Sequence, residues 1–148
     1  MLASFRGRKR DRFALPLKSP HPAPRAATRA ARQLNMDAMI VSIPGEHIVD
    51  WDSFHDVFQQ TLGFPSFYGR NMDAWIDCMT CVDDADDGMS AITVPIGAVL
   101  ALQINDARGL RRRCPEQYDA LLECSASVNY RRREKGLLPV VALILSGA

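Results

Sequence analysis

Gly63-Phe64-Pro65-Ser66-Phe67-Tyr68-Gly69-Arg70-Asn71-Met72-Asp73-Ala74-Trp75-Ile76-Asp77-Cys78-Met79-Thr80 is the stretch on which the reading of this chain turns. Glycine and proline punctuate its first half into a loop, and a helix is expected from about Asn71. At roughly 100° per residue, Asp73, Asp77 and Thr80 fall on one stripe of that helix, with Met72, Trp75 and Met79 on the opposite side. One face is suited to burial and the other to a partner. Two carboxylates at i, i+4 cost an isolated helix about 0.2–0.5 kcal/mol, so the pattern asks for a reason. The helix dipole favours Asp73 in the first turn but does not favour Asp77 a turn later. Phe67 and Tyr68, in the loop, are placed to flank the acids with flat aromatic surface, the composition of a binding hot spot. The plainer reading of the same residue types is a solvated helix face beside two core aromatics.

The order of residues adds to this. Pro65, Phe67-Tyr68-Gly69, Asn71-Met72-Asp73-Ala74, two large apolar residues and Asp77-Cys78-Met79-Thr80 together resemble the signature of the barstar family, bacterial inhibitors of a secreted ribonuclease. The resemblance is specific over Phe64 to Thr80. From Met39 onward it is otherwise a match of element order and of the closing apolar strand. It implies a small α/β fold with a three-stranded parallel sheet packed with helices, and a protein that inhibits rather than catalyses. It further implies an inhibitory face at or near Phe67, Tyr68, Asn71, Asp73, Ile76, Asp77 and Thr80, with Asp77 as the central anchor. Three positions depart from the family pattern. Ile76 stands where the family has a large aromatic, with Trp75 one position earlier. Val82 stands where a further aromatic is usual. Arg131 aligns near a contacting acid on the last long helix, a reversal of charge that implies a different partner or a narrower interface.

Charge is distributed unevenly along the chain. Residues 1–35 carry nine Arg or Lys against the single acid Asp11, a net +8, whereas residues 36–148 carry nine basic and sixteen acidic residues, a net −7. The first segment, with Pro16, Pro20, Pro22 and Pro24 close together and no sustained apolar period, is expected to be a disordered extension. With Met36 and Met39 just before the first strand-like run, a misread translation start also accounts for it. It is the one part of the chain from which nucleic-acid binding is conceivable. Residues 36–148 are of a size to bury a core of their own. The acidic face of that domain is expected to dock a basic ribonuclease or another basic protein toxin, with no small-molecule substrate.

Along the domain, Ala38 to Ile43 reads as a short strand stopped by Pro44-Gly45. Asp50 or Asp52 caps a helix to about Leu62, with Trp51, Phe54, Val57, Phe58 and Thr61 at helical spacing. Ser90 to Ile96 is a second strand candidate. Gly97 to Ile104 is apolar enough for a short buried helix or an extended segment, and periodicity does not separate the two. Asn105 to Arg113 is polar and basic. Pro115 then opens a helix to about Lys135, with Tyr118, Leu121, Leu122, Cys124, Ser125 and Val128 as its core side and Gly136 as its stop. Arg131, Arg132, Arg133 and Lys135 complement the dipole of its last turns. Pro139 to Ser146 closes the chain as a parallel strand buried on both faces. The alternation of strands and helices is an α/β order. No run reaches the roughly 20 apolar residues that span a bilayer.

Chemistry-bearing motifs are sparse. Asp83-Asp84-Ala85-Asp86-Asp87-Gly88 fails as a calcium loop because Ala85 and Val94 fall where oxygen ligands are required, which leaves a solvated acidic turn. His47 and His55 are isolated and are expected at the surface or in packing. Cys78 and Cys81 lie toward the C-terminal end of their helix, where the dipole disfavours a thiolate. Cys114 and Cys124 do not supply a second close pair for zinc, so reduced, packed cysteines in a cytoplasmic protein are expected. No phosphate-cradling glycine loop or nucleophile elbow is present, and no cofactor is implied.

Overall fold

The computed structural model describes residues 37–147, so the expectations made for residues 1–35 lie outside the described part of the chain. Three parallel strands form one sheet in the order β1 (Ala38–Ile43), β2 (Val99–Ile104) and β3 (Val141–Leu145). Parallel neighbours require crossovers, and helices supply them. Between β1 and β2 run a short 3-10 turn (Gly45–His47), α1 (Trp51–Leu62) and α2 (Met72–Thr80); α3 (Ala107–Arg113) and α4 (Pro115–Glu134) join β2 to β3. The α/β class and the three-stranded parallel sheet are as expected.

Local chemistry explains where the elements start and stop. Asp50 caps α1 by accepting from the Ser53 amide at 2.8 Å, and the Ser53 hydroxyl accepts from the Asp50 amide at 3.0 Å, a reciprocal capping box. Gly63 ends α1 at φ 64°, in the left-handed region that a side chain disfavours. Asn71 caps α2 through a 2.8 Å bond from the Ala74 amide to its Oδ1.

The second strand is not where the sequence placed it. Residues 90–96 form a loop whose backbone groups are already engaged: the Ala91 amide donates to the carbonyls of Leu62 and Gly63, and the Val94 amide donates to Val82. Pro95, without a donor, comes next. The central strand is instead Val99–Ile104, which resolves Gly97 to Ile104 in favour of an extended segment. The polar stretch after it contains α3, capped by Asp106 through the Gly109 amide.

β3 is an edge strand rather than one buried on both faces. Val141 is buried, but Ile144 and Leu145 are 39% and 45% exposed. The register explains the exposure of Ile144, because Ile40, Ala101 and Ala142 share one row, and Ser42, Gln103 and Ile144 share the next row on that face. The outer members of both rows are exposed. The opposite face, through Leu100, Leu102 and Ile104, enters a core that also holds Phe54, Phe58, Trp75, Met79, Leu110, Leu121 and Val128.

On α4 the buried stripe is Gln117, Leu121, Ser125, Val128 and Arg132. Leu122, expected in the core, is 37% exposed, since it lies one residue off that stripe. Arg132 is the residue that the dipole argument missed. It is 4% exposed, and its guanidinium donates to the carbonyls of Thr80 and Leu138, both at 2.7 Å, and to the Asp83 carboxylate. Asp83 is correspondingly part of a largely buried ion pair, while Asp84, Asp86 and Asp87 remain in the solvated turn.

Candidate functional site

The loop of residues 63–70 is fastened to α1 before it delivers the chain to α2. Arg70 adopts φ 52° and donates to the Asp56 carboxylate at 2.7 Å and to the Asp52 carbonyl at 3.0 Å. The bond to the Asp56 carboxylate, with the negative charges of Asp56 and Asp52, raises its guanidinium pKa further. From the other side, the Tyr68 hydroxyl lies 2.6 Å from His55 Nδ1, deep between the loop and α1. Burial pushes the Tyr68 phenol well above its ordinary range, so it stays a proton donor. Burial, followed by the charge of Arg70, pushes the His55 imidazole down, toward its neutral form. His55 therefore has the packing role, stacked on Trp51 at 6.0 Å between ring centroids, while His47 is exposed.

With the loop held, α2 packs its apolar side into the core and against α4. Trp75 and Met79 are fully buried, and Ile76 and Cys78 join them. Asp73 and Asp77 occupy the exposed stripe that helical spacing predicts, and the Asp77 side chain is 61% exposed. Phe67, 71% exposed, lies near Asp77. A surface cleft of about 290 Å³ opens there, lined by Phe67, Tyr68, Ala74, Asp77, Cys78 and Met89. It has an apolar floor and one carboxylate at its rim.

Of the seven residues singled out from the sequence, Phe67, Asp73 and Asp77 are exposed, and Phe67 and Asp77 meet at the cleft. The others have internal tasks. Tyr68 is 6% exposed and contributes a wall of the cleft while its hydroxyl serves His55. Ile76 is 7% exposed and faces the core, a consequence of its place between Trp75 and Asp77 on the helix. Asn71 is exposed at the start of α2, but its side-chain oxygen is engaged as the cap. Thr80 is half-buried and donates its hydroxyl proton to the Ile76 carbonyl at 2.7 Å.

Sequence reasoning missed one contributor and saw another only as a reversal of charge against the family pattern, without its contact. Met89 reaches the cleft from the loop that succeeds α2, a long-range placement with no local signal. Arg131 donates from Nη1 to Asp77 Oδ1 at 3.0 Å, so the candidate anchor already has a basic neighbour on α4. That contact depends on how α2 and α4 cross, which periodicity does not reveal.

The site holds no nucleophile of raised reactivity. Burial first, then neighbouring carboxylate charge, pushes the Cys78 thiol up to about 11. The Cys81 thiol is pushed up to about 11 by burial and a bond to Asp87. All four cysteines are free thiols. Among the described residues no group of three His, Cys, Asp or Glu side chains is arranged to hold a metal ion, and no helix is long and apolar enough to cross a membrane. The arrangement can do one thing well, which is to present carboxylates on a rigid helix beside an aromatic ring and a shallow cleft.

Comparison with known families gives a match to Barstar (barnase inhibitor) over residues 38–143, which runs from β1 into β3 and includes the whole of α2. Among curated proteins, none matches the chain. The family match covers well over half of the sequence and contains the loop, the capped helix and the acidic stripe just described, and on that ground the chain belongs to the barstar family.

Proposed function

We propose that this protein inhibits a basic ribonuclease by placing α2 in its active-site cleft. The observation that carries the proposal is the pairing of Asp73 and Asp77 on one exposed stripe of a capped, core-anchored helix, with Phe67 and the cleft alongside. A ribonuclease holds the scissile phosphate with cationic side chains, so carboxylates held rigidly at the right spacing compete for the same groups. The inhibitor gains because its side chains lose little freedom on docking: the helix is fixed by Trp75 and Met79 in the core, and the loop by Arg70 and Tyr68. Inhibition needs no covalent step. The cleft is filled and RNA is excluded.

The net −7 of residues 36–148 acts at longer range, where it speeds encounter with a positively charged enzyme and does so less as salt is added. The proposal is tested by titrating the chain into a barnase-type ribonuclease and monitoring RNA cleavage. One-to-one loss of activity that Asp77→Ala abolishes supports it. Full enzyme activity at excess chain contradicts it.

A further inference from the structure

The face that carries the two acids is of mixed sign. Arg131, in the last turns of α4, reaches α2 and donates to Asp77 at 3.0 Å, yet both side chains stay open to solvent, at 45% and 61% exposure. Neither makes another hydrogen bond among the described residues. This separates Arg131 from its neighbour Arg132, whose guanidinium is consumed inside the fold by Asp83 and two carbonyls. Arg131 is thus a cation available to a partner, fixed in position by the acid that a partner would also seek.

An exposed pair of this kind is weak, so parting Asp77 from Arg131 is not the obstacle to docking. The obstacle is repulsion between cations. A partner cation that meets Asp77 brings a second positive charge beside Arg131 as water leaves the interface, and like charges there are strongly disfavoured. A carboxylate on the partner, set against Arg131, removes the conflict. The contact then alternates in sign: partner cation, Asp77, Arg131, partner carboxylate. Resting on the reading that this face is inhibitory, we propose that Arg131 is a specificity-determining residue. It favours a partner whose docking surface sets a carboxylate beside the cation meeting Asp77, and it disfavours clefts lined by cations alone.

The test uses the full chain against a barnase-type ribonuclease, measuring the inhibition constant for the unaltered protein, Arg131→Ala, Arg131→Glu and Asp77→Ala. The Arg131→Glu protein is expected to bind about tenfold tighter or better, with Arg131→Ala between it and the unaltered chain. In a scan of Arg→Glu and Lys→Glu changes around the nuclease cleft, at least one reversal is expected to strengthen the unaltered chain and weaken Arg131→Glu. Unchanged or weaker binding by Arg131→Glu, while Asp77→Ala still loses inhibition, overturns the role of Arg131 and leaves the inhibitor reading in place. Tightening by Arg131→Glu with no compensating reversal in the scan overturns selection by a carboxylate. Absence of binding by every form, Arg131→Glu included, overturns both the role of Arg131 and the inhibitor reading.

Discussion

Arg132 and Asp83 form the ion pair that ties the C-terminal end of α4 to the turn leaving α2, with side-chain exposures of 5% and 14%. Its geometry is a fork, since Nη1 and Nη2 each donate to one carboxylate oxygen, and Nη1 and Nε also satisfy the Thr80 and Leu138 carbonyls. A buried pair gains little over a well-packed apolar pair, but removing one member strands a charge. Asp83→Ala is therefore expected to destabilise the fold by about 3–5 kcal/mol in urea unfolding. A loss below about 1 kcal/mol would show the pair behaving as a surface contact.

The cap of α2 sets the direction in which the acids point. Asn71→Ala removes the acceptor of the Ala74 amide and is expected to cost about 1 kcal/mol of stability. Asn71→Asp keeps an acceptor and is expected to retain most of it. Equal losses in the two variants, measured by denaturant midpoint at constant slope, would assign the effect of Asn71 to something other than capping.

His55 makes stability depend on pH in a defined direction. Its pKa is lowered from 6.5 in the fold by burial and by Arg70, so the unfolded chain binds the proton more readily. Stability is then full above the unfolded value and falls as pH drops through 6.5 toward the lower folded value. The melting temperature is expected to fall between about pH 7 and pH 5, and the fall is expected to be shallower in His55→Gln. An identical slope in that variant would remove His55 as the source.

The thiols near the face are expected to be sluggish. A shift from 9.0 to about 11 leaves roughly 100-fold less thiolate at Cys78 and Cys81, so alkylation at mildly alkaline pH should be far slower in the native chain than in urea. Comparable rates in the two states would contradict the burial assigned to Cys78.

Much of this was legible from residue order. The capped helix, its two-sidedness and the exposed pair Asp73 and Asp77 come from helical spacing, because a surface helix records its environment every three to four residues. The fold class comes from the alternation of elements. Features that were not legible depend on contacts between distant segments. Ser90 to Ile96 has a strand's composition, but its amides are spent on Leu62, Gly63 and Val82, leaving Val99–Ile104 as the strand. Ile144 and Leu145 read as doubly buried because apolar content does not distinguish an edge strand from a central one. Tyr68 and Ile76, placed on the inhibitory face by resemblance, turn inward to His55 and the core. Arg131 and Arg132 are adjacent and chemically identical, yet one is exposed and the other buried. Only the 3.6-residue period, extended from Val128 to Arg132, hinted at that difference.

The dissociation constant of a barnase-type ribonuclease for the chain and for Asp77→Ala, taken alongside cleavage of RNA, bears most directly on the inhibitory role of α2. A one-to-one complex in which the enzyme is inactive is predicted, with a weakening of more than about 2 kcal/mol in Asp77→Ala, a size taken from interface hot spots in general, barstar's among them. Most of that change should lie in the off-rate, with the fold of the variant unchanged. Equal affinity of the two proteins, or a complex that still cleaves RNA, would contradict the claim that the acidic face of α2 occupies the active site.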